Sequence, residues 1–455
     1  MQAIAMNRLK KFAAVLCFSL AFGFIAAAQT NSLVWYEADG RVDADVHNEP
    51  LLPLLKSIAG QTGWRVYVEP GTTLKASTKF KNLAVGDALK MLLGDLNFAL
   101  VPKINTPSQL YVFRTSMKNA TQLVTSKPKH VPNELLVKVK PGTDIDALAK
   151  SLAAKVIGRM DKYGIYLLQF GDTDATDAAL AQLQMDSNVQ AVDYNYEYDP
   201  PPTPQAISSA SAPQIPLTLN PPPSSGKVIV GLIDTALDPQ SLGADADQFI
   251  LPQISVADGT PSDSGPTHAD AMASLILQAI ANSTQSTGTS VQILPVNVYG
   301  SSATTTTYDV ALGVQAAVNA GANVLNMSLG GNGDSSLLDS LMAQVGSDGI
   351  TSFAAAGNTP INAPYYPAAA PSVIAVTALS QPGQLAPYAN YWQDATMLAL
   401  PGSAVFNYDN QSWEVQGTSA ATATSSGIYA GNLAAHGWPQ QQILNAMENK
   451  FPVPQ

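Results

Sequence analysis

From residue 227 onward the chain alternates short apolar strands with helix-forming stretches, and that alternation restricts the fold more than any other feature of its 455 residues. KVIVGLID at 227–234 is an apolar run that ends in an acid. After it come VQILPVNVYG, the helical DVALGVQAAVNAG, NVLNMSLGG, a helix around LLDSLMAQVGSDG, ITSFAAAGN and VIAVTAL. Such strands need cover on both faces, so the pattern predicts an α/β fold: a mostly parallel sheet with crossover helices on both faces. In sheets of this kind functional groups collect at the carboxyl ends of the strands.

Four residues in this region are candidates for chemistry. VQGTSAATATSSG at 415–427 sets Ser419 between a glycine turn and a helix-like run, so its oxygen stands at a helix N-terminus, where outward N–H groups favour developing negative charge. Asp234 closes the first strand. His268 opens ADAMASLILQAI, an amphipathic helical stretch, whereas His436 precedes Gly437 and reads as a helix C-terminal residue. Asn358 ends AAAGN after a strand, where its amide can face the same cleft. Taken singly, each also fits a cap or a turn.

Taken together, Asp234, His268, Asn358 and Ser419 resemble the subtilisin family in type, order and spacing. IVGLIDTALD resembles the family's aspartate strand, VLNMSLGG its substrate-binding strand, FAAAGN its oxyanion segment and GTSAATATSSG its serine motif. The resemblance implies that His268 takes the proton of Ser419, that Asp234 orients the imidazole, and that Asn358 with the Ser419 N–H binds the oxyanion. It also implies that Ser328, Leu329 and Gly330 face Ala355, Ala356 and Gly357 across an open apolar primary pocket that takes large apolar residues. Three motifs depart from the family: Thr235-Ala236 follows the aspartate, Ala269-Asp270 follows the histidine, and Ala423 stands where proline is usual. None removes a catalytic atom, and Asp270 is expected to cap its helix. The stretch after His268 has no copy of the calcium loop found in many relatives, so no metal and no cofactor are expected.

The preceding segments read as two small α+β domains. In 133–199 the order is βαββαβ, with Thr143 as a helix cap. The phrases PNELLVKVKPGTD, GIYLLQF and NVQAVDYNYEY are similar to the inhibitory propeptides of subtilisin-type proteases. In 31–115, WRVYVEP and QLYVF alternate like strands between two amphipathic helices. The order of NEPLLPLLKSIAGQTGWRVYVEP and FKNLAVGDALKMLLGDLNFALV resembles the short periplasmic domain of secretins and signalling outer-membrane transporters, which implies a contact with envelope proteins. Residues 116–132 and the Pro/Ser-rich 200–226 read as linkers, leaving 227–455 as the peptidase-like domain.

Residues 1–28 have the order of a secretory signal: Arg8, Lys10 and Lys11, an apolar run, then Ala26-Ala27-Ala28. Its removal takes away those three positive charges and moves the formal charge from -11 to -14. It also removes Cys17, the sole cysteine, so disulfides play no part. So acidic a chain argues against nucleic acid as a partner, and no later segment is long and apolar enough for a membrane span. The sequence therefore predicts a secreted or periplasmic subtilisin-like serine endopeptidase, made as a zymogen, acting on polypeptides and inhibited by its own propeptide. An inactive subtilisin-fold scaffold is the alternative, and an envelope-assembly module built on 31–115 is a third reading.

One local feature bears on processing. Asp199 is followed by Pro200-Pro201-Pro202, and a proline after a scissile bond supplies no amide hydrogen and fixes the residue before it as extended. Cleavage is therefore expected to move into 205–214, or the propeptide to stay attached longer than in relatives.

Overall fold

A computed structural model describes residues 31–36, 40–102, 108–124, 128–198, 201–207, 227–238, 242, 247–259, 265–284, 289–359, 364–392, 397–409 and 411–454. The signal-like stretch 1–28 and most of 200–226 lie outside the described residues. The chain forms two compact units, one of residues through Leu51 with Leu74–Gly94, the other of Leu52–Thr73 with Asp95–Gln455.

The first unit is a three-stranded antiparallel sheet of Ser32–Tyr36, Arg41–Pro50 and Lys75–Ala84, with Arg41–Pro50 in the middle. Val42, Ala44 and Val46 point to one side at strand period and are buried. Helix Val85–Leu93 buries Ala88, Leu89, Leu92 and Leu93.

The second unit begins with a four-stranded sheet in the order Asn97–Val101, Gln109–Phe113, Arg65–Val68, Gln122–Val124. Within 31–115 the chain visits two sheets in turn: Lys75–Ala84 pairs with Arg41–Pro50, while Arg65–Val68 pairs with Gln109–Phe113. Part of 116–132, expected as a linker, is itself paired. Gln122–Val124 supplies the antiparallel edge beside Arg65–Val68, and the next strand already starts at His130. Three residues are enough to satisfy an edge, but too few to show an apolar period.

Next comes the expected βαββαβ unit, with strands His130–Val139, Lys155–Met160, Ile165–Gln169 and Val189–Tyr198 and helices Ile145–Ser151 and Thr173–Leu183. The first helix is capped by Asp144, which accepts from Ala147 N at 3.0 Å, and not by Thr143. The sheet is apolar on both faces. Leu135, Val137, Tyr166 and Leu168 pack on the unit's own helices, while Leu136, Met160, Ile165 and Leu167 belong to the core of the domain that follows.

That domain is an eight-stranded sheet. Its path runs Ile254–Ser255, Val291–Asn297, Val228–Asp234, Val324–Met327, Thr351–Ala355, Ile374–Gln381, Gln384–Leu385, with Met397–Pro401 beside Ile374–Gln381. All pairs are parallel except the one with Gln384–Leu385. Ile233, Val296 and Met327 pack with helices Thr307–Asn319 and Ser336–Ser347. Val230, Leu232, Ile293 and Phe353 pack with helices His268–Thr284 and Thr418–His436. Alternate residues of each strand thus face opposite layers, which places helices on both faces as expected. Both helices that carry a candidate residue in their first turn lie in the same layer.

Candidate active site

Asp234 is the last residue of the central strand Val228–Asp234, at its carboxyl end, and is 1% exposed. The first residue of the adjacent helix is His268, whose Nδ1 stands 2.8 and 2.9 Å from the two carboxylate oxygens of Asp234. With Nδ1 as donor to this carboxylate, the ring is the tautomer whose Nε2 accepts a proton. That Nε2 is buried and has no hydrogen-bond partner among the described residues.

The two segments are stitched together chiefly by Asp270, one of the residues that depart from the family pattern. Thr267 and Asp270 form a capping box: Thr267 Oγ1 accepts from Asp270 N at 3.2 Å and Asp270 Oδ2 accepts from Thr267 N at 2.8 Å. The other oxygen of Asp270 accepts from Asp238 N at 2.8 Å, and Thr235 Oγ1 accepts from Ala269 N at 3.0 Å. One buried carboxylate therefore ties the loop after Asp234 to the helix that carries His268. Burial pushes the Asp270 carboxyl up to about 7, against the pull of the backbone donors.

Ser419 is the second residue of helix Thr418–His436. Its hydroxyl donates to the Ser328 carbonyl at 3.0 Å, and Ser328 Oγ donates back to the Ser419 carbonyl at 3.1 Å. No hydrogen bond joins Ser419 Oγ to His268 Nε2. Ser328 follows strand Val324–Met327 directly, so Ser419 and His268 both lie at the carboxyl end of the sheet. Asn326, buried beneath, accepts from Ser426 Oγ at 2.9 Å and donates to Ser328 Oγ at 3.0 Å, which fixes the serine helix to this strand. Its many hydroxyls are satisfied within the helix: Thr422, Thr424 and Ser425 each donate to the carbonyl four residues back.

Asn358 reaches the serine turn. Its Oδ1 accepts from Thr418 N at 2.8 Å and Thr418 Oγ1 at 3.1 Å, while Thr418 Oγ1 in turn accepts from Gly357 N at 3.1 Å. With Oδ1 so engaged, the amide nitrogen is the free end, and it bears no hydrogen bond among the described residues. Gly417 has φ +150°, and a Cβ there would lie 3.0 Å from Asn358 Nδ2. Asn390, which the sequence reading passed over, accepts from Thr359 N at 2.9 Å and donates its own backbone N–H to the Gly357 carbonyl at 3.0 Å. It braces Asn358 from both sides.

Ser328, Leu329, Gly330, Ala355, Ala356 and Gly357 are all buried, at and just beyond the carboxyl ends of strands Val324–Met327 and Thr351–Ala355. Tyr365, also missed, donates its hydroxyl to the Gly330 carbonyl at 2.7 Å. Among the described residues there is no group of three or more His, Cys, Asp or Glu placed to hold a metal.

The βαββαβ unit closes on the peptidase-like domain near this cleft. Asp193 accepts from Leu337 N at 3.0 Å, Ser335 Oγ at 3.1 Å and Ser336 Oγ at 3.1 Å, at the N-terminus of helix Ser336–Ser347. Asn195 Oδ1 accepts from Tyr308 N at 3.0 Å in the first turn of helix Thr307–Asn319. Strand Val189–Tyr198 pairs with Thr305–Thr306, and the buried Tyr198 lies where a Cβ on Gly331 would meet its ring at 2.8 Å. Beyond it, Gln205–Ala206 pairs antiparallel with Gln411–Gln416, the strand that leads into Gly417.

Residues 225–450 match the model of the subtilase family, and residues 116–195 match that of the fervidolysin N-terminal prodomain. Thermitase from Thermoactinomyces vulgaris is 34% identical over 196 residues, which cover 42% of this chain and 69% of thermitase. A thermostable alkaline protease from Halalkalibacterium halodurans is 34% identical over 141 residues, 31% of this chain and 38% of that protein. Among solved structures, fervidolysin from Fervidobacterium pennivorans, a keratinolytic enzyme related to subtilisin, aligns with a TM-score of 0.55 at 17% identity. That alignment covers 71% of this chain and 58% of fervidolysin. The epidermin leader peptide processing serine protease of Staphylococcus aureus gives 0.51 at 14% identity, over 70% of this chain and 91% of its own. At these identities the two structures share the fold.

Proposed function

The chain belongs to the subtilase family, as a subtilisin-like serine protease with an N-terminal prodomain, and from that premise we propose an exported endopeptidase, made as a zymogen, that cleaves polypeptides through Ser419, His268 and Asp234. Ser419 Oγ attacks the scissile carbonyl and its proton passes to His268 Nε2. Asp234 keeps Nδ1–H in place and stabilises the imidazolium. Asn358 Nδ2 and the Ser419 N–H receive the oxyanion. Collapse of the tetrahedral species breaks the C–N bond, His268 returns the proton to the departing amine, and an acyl-enzyme remains. Water, deprotonated by the same imidazole, then releases the acid.

The observation that carries this reading is the buried Asp234–His268 pair, with both carboxylate oxygens within 2.9 Å of Nδ1 and Nε2 left bare. In the present conformation Ser419 Oγ donates to Ser328, so the hydroxyl must leave that carbonyl to reach the base. The inactive scaffold is not favoured, since thermitase and its fellow relatives are named as proteases. Export is supported by the signal-like order of 1–28, and no helix among the described residues is long and apolar enough to cross a membrane. Inhibition by the prodomain is supported by its hold on two helix N-termini and by Tyr198 against Gly331. For 31–115 the proposed role is a contact with envelope proteins, supported by its sequence pattern.

A fluorophosphonate probe tests the reading: prodomain-free protein should label stoichiometrically, and Ser419→Ala should neither label nor cleave casein. Loss of the nucleophile lowers kcat on the order of a millionfold, a magnitude taken from subtilisin itself. Wild-type turnover by the alanine variant would remove Ser419 from the mechanism.

A further inference from the structure

The two segments expected to wall an open primary pocket are bridged by one side chain. A Cβ on Gly330 would lie 2.6 Å from Tyr365 Cε1, and one on Gly357 would lie 3.0 Å from Tyr365 Cγ. The phenol ring thus fills the space beside Gly330 and, together with Asn390 Nδ2 at 2.5 Å, the space beside Gly357. Its hydroxyl donates to the Gly330 carbonyl at 2.7 Å. The backbone on either side is also fixed: Tyr366 N donates to Gly331 O at 2.8 Å, Gly331 N donates to Tyr366 O at 2.9 Å, and Ala369 N donates to Tyr365 O at 2.8 Å. To vacate the space the ring must give up the Gly330 carbonyl while its own main chain stays clamped.

We propose that Tyr365 sets the size of the primary pocket, so that the enzyme selects polypeptides with glycine, alanine or serine immediately before the scissile bond. This rests on the peptidase reading above and reverses the taste for large apolar residues that the glycine-bearing walls alone imply. A methyl group can lie against the ring face. A phenyl or isobutyl group needs the volume the ring already fills, so it fits only if the half-buried ring swings out and gives up the Gly330 carbonyl. Even one methylene in an apolar pocket changes kcat/KM by about 10- to 200-fold, so exclusion of a whole phenyl should exceed about 100-fold.

The test uses the full chain after prodomain release and peptides that differ only in the residue before the scissile bond. The alanine peptide should exceed the phenylalanine peptide in kcat/KM by at least about 100-fold. Tyr365→Gly should raise the phenylalanine-to-alanine ratio by a similar factor, and Tyr365→Phe, which keeps the ring, should leave the ratio near wild type. Equal or preferred cleavage at phenylalanine by wild type overturns the proposal, as does a folded Tyr365→Gly whose ratio does not move. The wild-type profile decides alone should the glycine variant fail to fold. Absence of all turnover and of fluorophosphonate labelling would instead refute the peptidase reading. The pocket is then judged by calorimetry with product peptides on Ser419→Ala: tighter binding of an alanine terminus supports the role of Tyr365, and equal or tighter binding of a phenylalanine terminus overturns it.

Discussion

At the residue scale the site depends on groups whose positions leave no spare room. Gly417 stands at φ +150°, a backbone region that side chains avoid, with the Asn358 amide 3.0 Å from where a Cβ would project. Gly417→Ala should therefore push Asn358 Nδ2 off the oxyanion position. Expected is a fall in kcat of about 10²–10³ with KM within a few-fold, the size found for the corresponding donor in subtilisin itself. An alanine variant with unaltered kcat would separate Asn358 from the oxyanion. Asp270 gives a second prediction. Its folded-state carboxyl is raised from 3.8 to about 7, so the folded protein binds that proton more tightly than the unfolded chain does. The stabilisation is complete below pH 4 and is lost as pH rises through 7. Melting temperatures of wild type minus Asp270→Asn should decline across that window and level off above it. Because Asp193, Asp309 and Asp339, which are also raised, occur in both proteins, they cancel in the difference. A flat difference would place the Asp270 titration elsewhere.

At the element scale, one acid of the prodomain supplements a helix cap of the peptidase domain. Ser335 caps helix Ser336–Ser347 with its own hydroxyl, and Asp193 adds a carboxylate on the Leu337 N–H and on two serine hydroxyls. Burial pushes that carboxyl up while its donors pull it down, so its value lies in filling otherwise unmet donors. Asp193→Ala should weaken docking by about 1–3 kcal/mol, roughly 5- to 150-fold, and shorten the lag before activity appears in full-chain protein. An unchanged lag would show that the apolar face alone holds the prodomain. The βαββαβ order was legible because its strands and helices keep clean periods over five or more residues. Asp234 and His268 were legible because strand ends and helix starts are marked by charge and hydroxyl residues. Tyr365 was not, since an aromatic next to Tyr366-Pro367 reads as loop packing until the two glycine-bearing walls are folded against it. The strand Gln122–Val124 was hidden for a different reason: an edge pairing is a backbone property that three polar-flanked residues do not announce.

At the scale of the whole molecule, the prodomain, the cleft and the stretch that joins them form one continuous path. Strand Val189–Tyr198 ends with Tyr198 buried against Gly331, and a few residues later Gln205–Ala206 pairs with Gln411–Gln416. Ile207 N continues this pairing, donating to the Ser412 carbonyl at 3.0 Å. In the antiparallel register Gln205 faces Glu414, two residues before Gln416 and the turn that holds Ser419, and the chain reaches this pairing through Pro204. The chain near the nucleophile is thus Pro201-Pro202-Thr203-Pro204, in which bonds to proline nitrogen are poor substrates and the missing amide hydrogens weaken their hold on a cleft. Residues 205–207 are also withheld from attack, because a bond within a paired strand cannot extend into a second active site. Cleavage is then expected beyond Ile207, in the Pro/Ser-rich 208–226, whose composition reads as a linker. N-terminal sequencing of the processed protein should give a first residue between 208 and 226. A first residue between 200 and 205 would mean that the proline run is cut in place despite its chemistry, and that the pairing with Gln411–Gln416 does not shield the neighbouring bonds.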